Sequence, residues 1–106
     1  MDYLPEASHV DHYCKGQIEY RLPDKSRVDC LTDEYAIEYD WAKKHDECIG
    51  QALRYAVVTG RKPACVLIIK SPDDLRYLSR FEQSTTFVNV RLFTVEALQD
   101  EQTSTD

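Results

Sequence analysis

RVDCLTDEYAIEYDWAKKHDECIGQALRY, residues 27–55, is the stretch whose reading decides the fold. It divides into strand, tight turn, strand and long helix. Asp29 and Glu38 flank the turn-like Thr32-Asp33-Glu34-Tyr35, and a two-residue hairpin centred on Asp33-Glu34 sets them opposite each other on one face. Asp40 points to that face as well, because strand side chains alternate with period two. Two carboxylates about 4 Å apart repel by roughly 4 kcal/mol at an effective dielectric near 20, and a divalent cation with oxygen ligands is the simplest offset. Mg²⁺ or Mn²⁺ is the expected ion. The plain alternative is a solvated acidic face on an ordinary hairpin.

Outward from this stretch, Gln17 to Leu22 alternates polar and apolar residues, and Pro23-Asp24-Lys25-Ser26 supplies a turn into the strand that begins at Arg27. The apolar set Ile18, Tyr20 and Leu22 must share a face with Val28 and Cys30, so Glu19 joins Arg27, Asp29 and Glu38 on the other. Leu4 to Tyr13 suits a short helix, with Pro5 and Glu6 in its first turn and Gly16 as a stop.

After strand 35–39, the spacing from Trp41 to about Thr59 is helical, with Asp40 available as N-cap and Gly60 as terminator. Trp41, His45, Ile49, Ala52 and Ala56 mark its inner stripe. At ~100° per residue, Lys44, Cys48, Gln51 and Tyr55 form a second row, from which Lys43 is turned away. Ala64 to Lys70 is a continuous apolar run of the kind buried on both faces, so strand, helix and strand make a βαβ unit. Ser71-Pro72-Asp73-Asp74 starts a further helix, with Leu75, Leu78 and Phe81 buried and an end near Glu82. Val88, Val90 and Leu92 alternate in a last strand. Residues 1–95 are then a single α/β domain, and 96–106 a polar tail, disordered from Gln99 onward.

The chain of 106 residues is 42% hydrophobic and 30% charged, which is ordinary for one globular domain. The longest apolar run, Ala64 to Ile69, falls far short of the ~20 residues of a membrane span, and no basic-then-apolar leader is present, so the cytoplasm is the expected location. Cys14, Cys30, Cys48 and Cys65 show no C-x-x-C pair and no zinc-finger spacing, which predicts buried free thiols. His9, His12 and His45 form no nucleophilic set. The net charge of −6 opposes phosphate binding in general. Much of it sits in Glu96, Asp100, Glu101 and Asp106 and in the acidic cluster itself, which leaves room for a local basic surface.

On these residues the chain resembles a minimal PD-(D/E)XK nuclease, the group that includes restriction enzymes, junction resolvases and RecB-type exonucleases. The resemblance covers roughly residues 17–70. It implies an αβββαβ core with a mixed sheet flanked by helices. It implies that Asp29 and Glu38 bind Mg²⁺ together with the main-chain carbonyl of Tyr39. Gln51-x-x-x-Tyr55 is similar to the Q-x-x-x-Y signature of RecB-like members. The family's lysine two residues after the Glu is Asp40 here, and some relatives carry that lysine on the next helix, where Lys44 is the candidate and Lys43 the fallback. The upstream acid usually comes from the first helix, which would be Glu6, whereas the strand register favours Glu19.

The implied function is metal-assisted DNA phosphodiester hydrolysis, structure-selective or non-specific, by a dimer or with a partner in a larger DNA-processing complex. Glu19, Asp29, Glu38, Lys44, Gln51 and Tyr55 form the expected site. The rival readings are a catalytically inactive DNA-binding or assembly subunit of the same fold, and an α/β interaction module without metal.

Overall fold

The computed structural model describes residues 2–100. Their elements run α1 (Glu6–Tyr13), β1 (Gln17–Arg21), β2 (Arg27–Leu31), β3 (Tyr35–Trp41), α2 (His45–Thr59), β4 (Lys62–Ile69), α3 (Arg76–Ser84) and β5 (Arg91–Glu96). Short 3-10 turns at Ala42–Lys44 and Pro72–Leu75 lead into α2 and α3. The five strands form one mixed sheet in the order β1-β2-β3-β4-β5.

The β2–β3 hairpin has the expected register, with Cys30 opposite Ile37 and Leu31 opposite Ala36. Its two-residue turn is closed by the Thr32 N–H donating to the Tyr35 carbonyl at 2.9 Å. The Thr32 hydroxyl accepts from the N–H groups of Glu34 and Tyr35, a side-chain substitute for backbone pairing. β3 and β4 are parallel, from Tyr35↔Lys62 to Trp41↔Ile68. β4 also pairs in parallel with β5, so its apolar run is covered on both sides, and Ala64 to Ile68 is buried throughout.

Each face of the sheet carries its own core. α1 lays Val10 on Cys30, Ile37, Tyr39, Ala64 and Val66. On the opposite face, α2 and α3 bury Cys48, Ile49, Ala52 and Phe81 against Cys65 and Leu67. α2 stops where expected, because Gly60 adopts φ +72°, a left-handed conformation that glycine enters without a Cβ penalty.

Several expectations are corrected by packing. Trp41 closes β3 and does not open a helix; the chain passes through the 42–44 turn, and α2 begins at His45 with Lys44, not Asp40, at its N-cap. Ile18 and Tyr20 pair with Cys30 and Val28 as the register requires, yet they are 42% and 38% exposed, because β1 is an edge strand beyond the reach of α1. Leu75 is exposed, and Ser71 makes no side-chain cap; Asp74 instead takes the Lys70 N–H at 2.8 Å. The last strand lies at 91–96, and Val90 precedes it as part of the α2/α3 core.

Residues 97–100 extend the fold. Leu4 N–H donates to the Leu98 carbonyl, Asp100 N–H to that of Asp2, and Tyr3 bridges Gln99. The buried His9 ties this pair to α1: its Nδ1 donates to the Pro5 carbonyl at 2.9 Å, and its Nε2 accepts the Leu98 N–H at 2.8 Å. The remainder of the expected disordered tail, 101–106, lies outside the described residues. Among the described residues no helix is long and apolar enough to cross a membrane.

Cys14 and Cys30 are joined in a disulfide that links the end of α1 to β2, whereas Cys48 and Cys65 are free and buried. The expectation of four free thiols therefore holds for one pair only. Topology brings together residues that are 16 apart in sequence. Closing a loop of about this length contributes about 3 kcal/mol through the unfolded chain. Reduction is expected to lower the guanidinium unfolding midpoint by that equivalent, measured with and without a phosphine reductant.

Candidate functional site

Beyond Cys30↔Ile37 the β2–β3 ladder opens, and carboxylates take over from the missing backbone partners. Asp29 N–H donates to Glu38 Oε2 at 3.1 Å, and Tyr39 N–H donates to Asp29 Oδ2 at 2.9 Å. Two residues further along the same edge of β3, Trp41 N–H donates to Glu6 Oε2 at 3.3 Å and to Asp40 Oδ1 at 3.1 Å. The hairpin register and the N-terminal turn of α1 thus gather Asp29, Glu38, Asp40 and Glu6 in one wedge. Buried backbone N–H groups must find acceptors, so these acids are part of the fold as well as of the site.

Burial makes the cluster electrostatically tense. Glu38 and Asp40 are 4% and 7% exposed. Loss of solvation, with the charges of Asp29, Asp40 and Glu19 behind it, pushes the Glu38 carboxyl up to about 8. Asp29 rises to about 6, again mainly through burial, while its bond from the Tyr39 N–H pulls the other way. Asp40 rises to about 8 through burial first, then through its hydrogen bond with Glu6 and that residue's charge; the Lys44 ammonium opposes the rise. Asp29 and Glu38 hydrogen-bond each other, as do Asp40 and Glu6. Crowding and burial of this kind favour the protonated form of Asp29, Glu38 and Asp40.

An all-oxygen, acid-rich donor set has the chemistry that Mg²⁺ or Mn²⁺ takes. Among the described residues no group of three or more His, Cys, Asp or Glu side chains is already arranged to hold a metal ion. The reason lies in the contacts above, since the oxygens are turned onto strand N–H groups and onto one another. Asp29 and Glu38, with Glu19 or Glu6, are the residues that would hold a cation, and its binding must compete with the protons that burial favours on Asp29 and Glu38.

A pH dependence follows from these shifts. Asp29, Glu38 and Asp40 all have folded-state values above their unfolded ones, so the folded chain binds more protons across this range. The stability they contribute is fully present below about pH 4 and is lost as pH rises through about 6 to 8. The urea midpoint without metal is expected to fall between about pH 5 and pH 9, and added Mg²⁺ to raise it mainly at the upper end. A flat profile would show that the acids are not crowded as described.

The remaining expected residues fall into two groups. Glu19 faces Asp29 across the hairpin, in a left-handed backbone conformation at φ 55°, and its carboxylate lies 3.5 Å from Arg27. Its charge raises both Asp29 and Glu38, while Glu6 bonds to Asp40, so both upstream candidates border the wedge. Lys44 is exposed, and its charge acts on Asp40. Tyr39 lends its N–H to Asp29, while its ring belongs to the α1-side core.

The helical row is divided by burial. The Cys48 thiol donates to the Glu38 carbonyl at 3.3 Å, and Gln51 is exposed. Tyr55 is buried among Leu22, Val28, Leu31 and Ala36, with its hydroxyl accepting from Arg54. α2 thus carries the Tyr55 ring onto Leu31 and Ala36, the pair beside the β2–β3 turn. Comparison of the chain with family models, with characterised proteins and with solved structures finds no match.

Proposed function

We propose that this protein is a Mg²⁺- or Mn²⁺-dependent nuclease of the PD-(D/E)XK type that hydrolyses DNA phosphodiester bonds without sequence specificity, by structure-selective or general cutting. The observation that carries this reading is the opened β2–β3 ladder, where Asp29 and Glu38 face each other in a buried acidic wedge beside a lysine. Such a wedge attracts a hard divalent cation, which supplies a Lewis acid for phosphate and lowers the pKa of bound water. Asp29 and Glu38 hold the ion, with Glu19 or Glu6 as the further acid. Burial and the neighbouring Glu6 push Asp40 up to about 8, against the Lys44 ammonium. Lys44 counters the charge that builds on phosphorus. Gln51, exposed on α2, would contact the substrate strand.

The reading sets the protein in the cytoplasm with its DNA, as a dimer or within a larger complex. The Cys14–Cys30 disulfide pulls the other way, since such bonds persist mainly in oxidising compartments. A second reading, a DNA-binding or assembly subunit without catalysis, is favoured by one observation: Asp40 stands at the family's lysine position and is bonded to Glu6. Incubation of the purified chain with supercoiled plasmid and with branched DNA, with and without Mg²⁺ or Mn²⁺, decides between them. Metal-dependent cutting that is lost in Asp29→Asn supports the nuclease. Stoichiometric DNA binding with no cutting supports the subunit.

A further inference from the structure

Two arginines on α3 are arranged around one tyrosine. The guanidinium carbons of Arg76 and Arg80 lie 4.9 Å and 5.4 Å from the centroid of the Tyr77 ring, and Arg76 Nη2 donates to the Tyr77 hydroxyl at 3.0 Å. The buried His45 ring packs 5.8 Å from the same ring, inclined by 33°. Neither arginine forms an ion pair among the described residues. The ion pairs present there belong to Arg27, Arg54 and Lys62, and His45 Nδ1 lies 2.9 Å from Asp46 Oδ1. Asp73 and Asp74 act on Arg76 through space, but the Asp74 carboxylate is committed to the Lys70 N–H. Asp46, in the first turn of α2, accepts from Ser84.

This stack is continuous with the acidic wedge. His45 follows Lys44 in the chain, the 42–44 turn packs on α3, and the Lys44 charge acts on Asp40. A band therefore runs from Asp40 through Lys44, His45 and Tyr77 to Arg76 and Arg80. The ring supports the guanidinium planes and leaves N–H edges for a ligand. A guanidinium held in place loses less freedom on binding, and its fork matches phosphate oxygens in pairs. Lys44, Arg76 and Arg80 along one band also let a chain of net charge −6 attract a polyanion locally.

We infer that α3 is the docking strip for the phosphodiester backbone of a nucleic acid, with Arg76 and Arg80 as the phosphate contacts and Tyr77 as the residue that positions them. The inference deepens the nuclease reading and rests on it for the direction of the strand, which runs along α3 toward the wedge.

The test is fluorescence anisotropy with a labelled duplex of about 20 base pairs, and with one of its single strands, in EDTA over a salt series. Arg76→Gln/Arg80→Gln is expected to weaken duplex binding at least about 10-fold at low salt and to reduce the slope of log Kd against log salt by about 2, one phosphate contact for each arginine. Tyr77→Phe keeps the ring and should bind like the parent, whereas Tyr77→Ala should lose several-fold while retaining its helical circular-dichroism signal. Arg91→Gln, on β5 and stacked over Phe93 instead of Tyr77, should bind like the parent. An unchanged slope in the double variant, an equal loss from Arg91→Gln, or no binding by the parent chain overturns the strip. Because the assay needs no metal, binding through α3 without plasmid cutting leaves the strip standing and removes the nuclease. Cutting that survives the double variant with unchanged affinity does the reverse.

Discussion

Asp29→Asn and Glu38→Gln are each expected to reduce Mg²⁺-dependent DNA cleavage by about 10³-fold or more, since several kcal/mol of charge stabilisation is lost with the metal and each 1.36 kcal/mol is tenfold. The amide variants are the right ones because both carboxylates also accept strand N–H groups, from Tyr39 and Asp29 respectively. An amide oxygen keeps that bond, removes a charge from a crowded site, and should leave metal-free stability near pH 8 unchanged or raised. Alanine at either position strands a buried N–H at a cost of about 1–3 kcal/mol. Activity and unfolding midpoint measured on all four variants separate the two roles. If an amide variant retains near-parental Mg²⁺-dependent cutting, Asp29 and Glu38 are architectural acids and the metal belongs elsewhere.

Lys44→Ala is expected to lower turnover on the order of 10²-fold while leaving Mg²⁺ affinity largely intact, as loss of one preorganised cation does. Lys44 is the lysine whose charge reaches Asp40. The 3-10 turn at 42–44 brings it round above Trp41 at the mouth of the wedge, since residues three apart are stacked at three residues per turn. Lys43 points about 120° away on such a turn, and Lys43→Ala should change activity slightly, mainly through salt-sensitive DNA affinity. Turnover of both variants at saturating DNA decides the matter. Equal small losses would remove the relocated lysine from the mechanism, and a large loss from Lys43 alone would assign the role to that residue.

The register that opposes Asp29 and Glu38 was legible because it rests on local rules. A two-residue turn at Asp33-Glu34 and period-two alternation leave one pairing that keeps the apolar set inside. Gly60 as a left-handed stop and Ala64–Ile68 as a central strand were equally local. Glu6 was harder to place, since its link to Trp41 and Asp40 is a contact between the first helix and the far end of the third strand. The helical row that grouped Tyr55 with Lys44 assumed an unbroken α-helix from Trp41. The 3-10 turn interrupts it, and burial at Leu22, Val28, Leu31 and Ala36 claims the ring.

By itself, then, the sequence determined the α/β class, the strand and helix order and the opposed acid pair, because periodicity and turn chemistry act over a few residues. Only the tertiary structure decided that Cys14 and Cys30 are bonded and that Ile18 and Tyr20 lie on an uncovered edge. It also decided that the carboxylates replace ladder partners where β2 and β3 part, and that Tyr77, flanked by Arg76 and Arg80, packs on His45. Each of these depends on which distant elements become neighbours, and a pairing across the sheet leaves no period in the chain for a reader to find.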